Sequence, residues 1–178
     1  SCWKVAFNGA EPVSAQVLRA FSMRYAAHGF SATAHFPCYG LAEATLYVSG
    51  GPAHHEPDVL AYPDGSGEVV SVGTVHREID VVVIDELGQK CSEGCVGEIC
   101  LRGPNVTSGY WNLPAGGAPH FVTLDVGGPS FLATGDLGFV RDGQLFVTGR
   151  KKELIILRGR NIYPYDIERS IAVSHEGF

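Results

Sequence analysis

The chain has 178 residues, 45% hydrophobic and 18% charged. That is enough apolar material for a core, which excludes a disordered tail, and no apolar run approaches the roughly 20 residues a membrane span needs. The net charge of −6 argues against a general affinity for nucleic acid or anionic lipid.

In chain order, Lys4–Phe7 reads as a short strand, and Asn8-Gly9-Ala10-Glu11-Pro12 as a turn whose proline opens a helix. Val13, Val17, Leu18, Phe21 and Tyr25 recur at helical spacing, and Gly29 is placed to cap that helix. Ala34–Cys38 then reads as a strand that breaks at Tyr39-Gly40. Strand, crossover helix and strand imply the end of a parallel α/β sheet.

Residues 51–71 are rich in Gly, Pro and His and read as a loop or insertion. From Val72 the pattern turns to β. Ile79–Asp85 is a β-branched run, Glu86–Gln89 turns, and Gly97–Arg102 alternates. Phe139-Val140 and Gln144–Val147 flank Asp142-Gly143, a strong hairpin signal because both residues tolerate positive φ. A small antiparallel or barrel-like subdomain is expected over 72–150. A new unit starts at 151: Lys152–Leu157 as a strand, Arg158–Asn161 as a turn, and Pro164 opening a helix with Ile167 and Ile171. Some 28 residues cannot bury a core of their own. The start SCWKVAFNGA lacks the basic lead and long apolar stretch of a signal peptide, and the chain stops just inside a helical pattern, so it reads as a piece of a longer protein.

Charge is uneven along the chain. Arg150 to Arg169 holds six bases against three acids, and the remainder seven bases against sixteen acids. That is either a site for one small anion or a solvated face. The five cysteines contain no CxxC pair, which fits a reducing compartment better than a disulfide framework. Cys91, Cys95 and Cys100 match no usual zinc spacing.

Four segments carry chemistry. Gly9-Ala10, between strand and helix, leaves backbone open to a flat ligand, or is a plain tight turn. Tyr39-Gly40-Leu41-Ala42-Glu43 lies where a strand ends, the place ligands gather in open α/β sheets. Its ring could stack a base and its carboxylate hold a hard cation, or both could be structural. In Ala133–Gly138, Asp136 is either a turn former or an acceptor for two ribose hydroxyls. Gly149–Glu153 opens the basic stretch. There is no GxSxG elbow and no Walker-type loop.

The series NGAEP, YGLAEATLYVSGG, VGEICLRGPNVTSGYW, ATGDLGFV and VTGRKKELIILRGRNIYPYDIE, in that order, resembles the adenylate-forming superfamily of acyl-CoA synthetases, adenylation domains and luciferases. Within it the wording is most similar to the fatty acyl-AMP ligases. The resemblance implies an α/β fold in which 1–150 is the C-terminal part of a large domain and 151–178 the hinge and truncated start of a small one. It implies ATP-dependent activation of a fatty acid to an acyl-adenylate, with Mg²⁺, for an acyl carrier protein or polyketide synthase in the cytoplasm. Gly9, Ala10 and Glu11 would line one face of the adenine, with Tyr39 on the other and Gly40 beside it. Asp136 and Arg150 would hold the ribose. Glu43 would hold Mg²⁺, and Lys152 would be the hinge.

Ala42, where the superfamily often has Thr, fits the acyl-AMP ligase branch, whereas Ile162 and Tyr165 depart from it. Residues 51–71 occupy the place of that branch's insertion, thought to disfavour coenzyme A. The family's phosphate loop would precede residue 1 and its catalytic Lys follow Phe178, so the 178 residues alone are expected to show little adenylation. A coenzyme A-dependent ligase and a non-catalytic adenylate-binding domain are the alternatives.

Overall fold

The computed structural model describes residues 3–61, 67–113, 119–157, 160–164, 167–168 and 170–171. Strand β1 (Ala6–Asn8) leads through a loop to helix α1 (Ala15–Tyr25) and on to β2 (His35–Leu41). β1 and β2 pair in parallel, Ala6 opposite His35 and Asn8 opposite Pro37, so the expected strand–helix–strand unit is present. It is the one parallel pair among the described strands. Pro12 does not open the helix: Ser14 does, its hydroxyl accepting from the Val17 N–H at 3.3 Å. A serine side chain satisfies an otherwise unpaired helical N–H, which Pro12, three residues before Ala15, is too far upstream to replace. At the other end α1 stops at Tyr25 and runs into a 3₁₀ turn (Ala26–His28), and Gly29, at φ 79°, caps that turn rather than the helix itself.

β2 does not break at Tyr39-Gly40. It runs on to Leu41 with a shift of register between the two residues, paired against β3 (Leu46–Gly50). Gly40 makes this pairing possible: a Cβ there would lie 1.5 Å from the Leu46 carbonyl oxygen. β3 carries the sheet into its antiparallel part, in the order β1-β2-β3-β5-β10-β9-β7-β6, with β5 Glu68–Val75, β6 Asp80–Ile84, β7 Gly97–Arg102, β9 Ser130–Arg141 and β10 Gln144–Arg150. β4 (Val59–Ala61) adds to β5, and β8 (Phe121–Thr123) to β9.

Stretch 51–71, expected as loop, therefore contributes β4 and the first half of β5. Val59 and Leu60 stand opposite Val70 and Val69, and this apolar pairing was masked by the Gly and Pro around it. The β9–β10 hairpin turns at Asp142 and Gly143, with φ 51° and 73°, as Asp-Gly predicts. Lys152 lies in a single 3₁₀ turn (Lys151–Glu153) rather than in the expected strand, and strand geometry starts later, at β11 (Ile155–Leu157), which pairs with β12 (Arg160–Ile162). Arg160 and Asn161, expected in a turn, belong to β12, while Arg158, Gly159 and Tyr165 lie outside the described residues. Pro164, Ile167 and Ile171 are helical.

The main core lies under the antiparallel strands, where Val48, Ile99, Leu101 and Leu145 are fully buried. Each such side chain contributes about 1.5–3 kcal/mol relative to exposure. A second cluster, Ala6, Phe30 and Ala34 with Phe21, seats α1 on the parallel pair. His35 ties the same parts together. Its Nε2 lies 3.2 Å from the Leu18 carbonyl and 3.0 Å from Ser22 Oγ, and its Nδ1 lies 3.5 Å from Asn8 Nδ2. Burial lowers its pKa below the ordinary histidine value. No described helix is long and apolar enough to cross a membrane.

Candidate active site

β9 carries an irregularity that makes the site. Glu98 of β7 stands opposite Leu137, but Cys100 stands opposite Ala133, so β9 spends two more residues than β7 on this stretch. Thr134-Gly135-Asp136 bulges out as a result, with Gly135 at φ 75°. Bulged backbone amides cannot reach the ladder and must find other acceptors. The Asp136 N–H donates to Thr134 Oγ1 at 3.0 Å, and that hydroxyl donates to the Ile99 carbonyl at 2.8 Å. The Gly135 N–H donates to Glu98 Oε1 at 3.1 Å. Asp136 is thus in a strand bulge, not in a glycine turn between strands.

The bulge delivers the Asp136 carboxylate, almost fully buried, between β2 and the end of β10. The Tyr39 hydroxyl donates to Oδ2 at 2.7 Å. Arg150, opposite Asp136 in the β9–β10 ladder, places Nε 3.1 Å from Oδ1. Burial raises the Asp136 pKa above the usual carboxylate value, an effect that Tyr39 and Arg150 only partly offset. The Tyr39 phenol is pushed well above its ordinary value, first by burial and then by the carboxylate beside it, so it stays a donor.

A cleft of about 290 Å³ opens beside this trio, close to the lower limit of small-molecule sites. Ala10, Glu11, Tyr39, Gly40, Asp136 and Arg150 are among the residues that line it, as is Glu153. Ala10 takes φ 72°, unusual for a residue with a side chain, at the turn after β1. Gly9 is not among the lining residues; it backs onto β2, where a Cβ would come within 2.9 Å of the Cys38 carbonyl oxygen. A second cleft, about 420 Å³, shares Asp136 and Arg150 and adds Glu43, Thr134 and Lys152. The sequence-predicted residues other than Gly9 therefore border two adjoining clefts.

Glu43 stands on the 3₁₀ turn (Ala42–Ala44) between β2 and β3. The segment after β7 holds that turn: the Thr107 N–H donates to the Glu43 carbonyl at 2.7 Å, Asn105 Nδ2 to the Ala44 carbonyl at 2.6 Å, and the Tyr110 hydroxyl to the Glu43 carboxylate. Among the described residues no group of three or more His, Cys, Asp or Glu side chains could hold a metal ion, so a cation at Glu43 would need oxygens from a ligand.

Sequence reading missed Thr134, Glu98 and Tyr110 as individual residues. For Glu98 a signal was present: a carboxylate inside the otherwise apolar strand Gly97–Leu101.

A profile of the AMP-binding enzyme family matches residues 1–111. The chain is 36% identical to the medium-chain-fatty-acid–[acyl-carrier-protein] ligase TtuA of Teredinibacter turnerae, over 95% of this chain and 30% of that protein. It is 35% identical to the long-chain-fatty-acid–AMP ligase FadD32 of Mycolicibacterium smegmatis, over 94% of this chain and 31% of the relative. Among solved structures, a fatty acyl-adenylate ligase from L. pneumophila in complex with acyl adenylate and pyrophosphate superposes with a TM-score of 0.75 at 38% identity, over 95% of this chain and 32% of that one. A structure from a study of the ligases of E. coli and L. pneumophila gives 0.84 at 36% identity, over 99% and 34%. The chain spans about a third of the length of these relatives.

Proposed function

The chain belongs to the AMP-binding enzyme family, and from that premise we propose that it is the nucleotide-holding part of an enzyme that activates a fatty acid as acyl-adenylate, for transfer to an acyl carrier protein. One observation carries this: the lone-pair inventory of Asp136. A carboxylate offers about four acceptor positions. Tyr39 occupies one on Oδ2 and Arg150 one on Oδ1, which leaves two positions on a group aimed into the cleft. Two neighbouring ribose hydroxyls are donors of that number and spacing. Tyr39 then offers its ring to the adenine, with Ala10, Glu11 and Gly40 around the base.

In the reaction a carboxylate oxygen of the fatty acid attacks the α-phosphorus of ATP, and the bond to pyrophosphate breaks. Two anions must meet, so the protein's task is orientation and charge compensation. Arg150 and Lys152, at the second cleft, supply positive charge beside the phosphates. Glu43 would hold Mg²⁺ together with phosphate oxygens, the ion neutralising charge on the leaving group. We place the domain boundary at the 3₁₀ turn, with 1–150 in a large domain, 151–178 beginning a small one, and Lys152 as the hinge. A polyketide synthase is a natural recipient of the acyl group. The reaction fits the cytoplasm, where free Cys38, Cys91, Cys95 and Cys100 persist as thiols.

A coenzyme A-dependent reaction is the second reading, favoured by 36% identity to the putative fatty-acid–CoA ligase FadD25 of Mycobacterium tuberculosis. The full-length enzyme, given fatty acid and ATP, should catalyse ATP–pyrophosphate exchange. With a phosphopantetheinylated carrier and coenzyme A both present, acyl-carrier product supports the first reading, and abundant acyl-CoA rejects it in favour of the second.

A further inference from the structure

Glu98 lies outside both clefts yet touches the two segments on which the site depends. Its side chain is only 12% exposed. One oxygen, Oε1, accepts from the Gly135 N–H at 3.1 Å, and the other, Oε2, accepts from Lys151 Nζ at 2.7 Å. Gly135 precedes Asp136 in the bulge, and Lys151 precedes Lys152 in the 3₁₀ turn. A nearly buried carboxylate needs both partners: losing the amide leaves an oxygen desolvated without a donor, and losing the ammonium leaves the charge uncompensated.

Resting on the proposed nucleotide function, we infer that Glu98 is a positioning residue. Its carboxylate holds the Gly135 amide so that Asp136 faces the ribose, and holds Lys151 so that the turn bearing Lys152 stays against β7. The two oxygens separate the roles. The Gly135 arm requires only an acceptor, which a glutamine retains, whereas the Lys151 arm requires negative charge. Since one residue serves both arms, displacement of the turn withdraws a cation from the group that shapes the nucleotide-facing bulge. One side chain thereby supports both the bulge at the ribose subsite and the 3₁₀ turn that carries Lys152.

The test uses the full-length enzyme with Glu98→Ala, Glu98→Gln and Lys151→Met. It reads the KM for ATP in pyrophosphate exchange, and amide hydrogen exchange by mass spectrometry over 133–137 and 150–154. Expected are a roughly tenfold rise in ATP KM and faster exchange over 133–137 for Glu98→Ala. Glu98→Gln should restore both to within about threefold of the wild-type values. Exchange over 150–154 should quicken in all three variants. A purely structural carboxylate would not give this split, because its effects would follow the melting temperature in every segment.

Unchanged exchange over 133–137 in Glu98→Ala overturns the inference. So does an ATP KM unmoved by Glu98→Ala in an enzyme where Asp136→Ala raises it. If Glu98→Ala does not fold, Glu98→Gln and Lys151→Met decide the matter: wild-type exchange over 150–154 in both overturns the role given to the Lys151 arm. An ATP KM insensitive to Asp136→Ala fails the nucleotide reading itself, and the exchange data still judge the Glu98 contacts.

Discussion

The hydroxyl of Tyr39 donates a 2.7 Å hydrogen bond to Asp136, 97 residues further along the chain. Both groups are buried, so the bond is made where water competes poorly. The aromatic ring and the carboxylate are thus a rigid pair, and a ligand that stacks on one is presented to the other.

Removing the carboxylate tests its role directly. In the full-length enzyme Asp136→Asn should raise the ATP KM by about ten- to hundredfold, because hydrogen bonds to a charged group contribute about 1.5–3 kcal/mol. Unchanged ATP kinetics would take Asp136 out of the site. Tyr39→Phe keeps the ring but takes a donor from a buried carboxylate, so the main loss should be stability, about 1–3 kcal/mol. Thermal melting measures it.

The raised pKa of Asp136 gives a pH signature. The ribose contact proposed for Asp136 needs the ionised form, so on that proposal ATP affinity should weaken on acidification from a pH higher than an ordinary carboxylate near 3.9 would dictate. The same shift has the opposite sign for stability. Between the two pKa values the folded state holds a proton that the unfolded state has lost, so stability contributed by this group falls as pH rises through that window. Relative to Asp136→Asn, the wild-type melting temperature should fall across that window.

His35 behaves in the reverse manner. Its lowered pKa means the unfolded chain takes up a proton, near pH 6.5, before the folded protein does. Its contribution is complete above about 6.5 and is lost as pH falls toward the lowered folded value. The melting-temperature difference between wild type and His35→Gln should shrink on going from pH 8 to pH 5. A pH-independent difference would mean that His35 is not kept neutral by its place between Leu18 and Asn8.

Gly40→Ala should be among the most damaging of small changes. The added methyl would overlap the Leu46 carbonyl, with an approach of 1.5 Å to a backbone atom that cannot rotate away. A cost of about 3 kcal/mol or more is expected, since overpacking against fixed atoms forces the strands apart. Loss of ATP-dependent activity should accompany it, because the same strand pair carries Tyr39 and the Glu43 turn. A variant that melts and exchanges pyrophosphate like wild type would contradict the close β2–β3 approach.

Local chemistry was legible in the sequence. The existence of α1, the Asp142-Gly143 hairpin and the strand Gly97–Arg102 follow from spacing and turn residues, because each depends on neighbours a few positions away, whereas Val17 and Tyr25 of the expected apolar row of α1 are exposed. The types of the candidate site residues were legible too, as short motifs in a fixed order. What only the tertiary structure decided are relations set by pairing register. Asp136 faces Tyr39 because β9 takes up two extra residues against β7, and strand register is invisible to any local pattern. Val59–Ala61 became a strand because β5 lay ready to pair with it, and Lys152 sits in a turn rather than a strand beside Lys151, which reaches across to Glu98. Motif order can name the groups; the hydrogen bonds that bring them to one carboxylate exist only after the strands have paired.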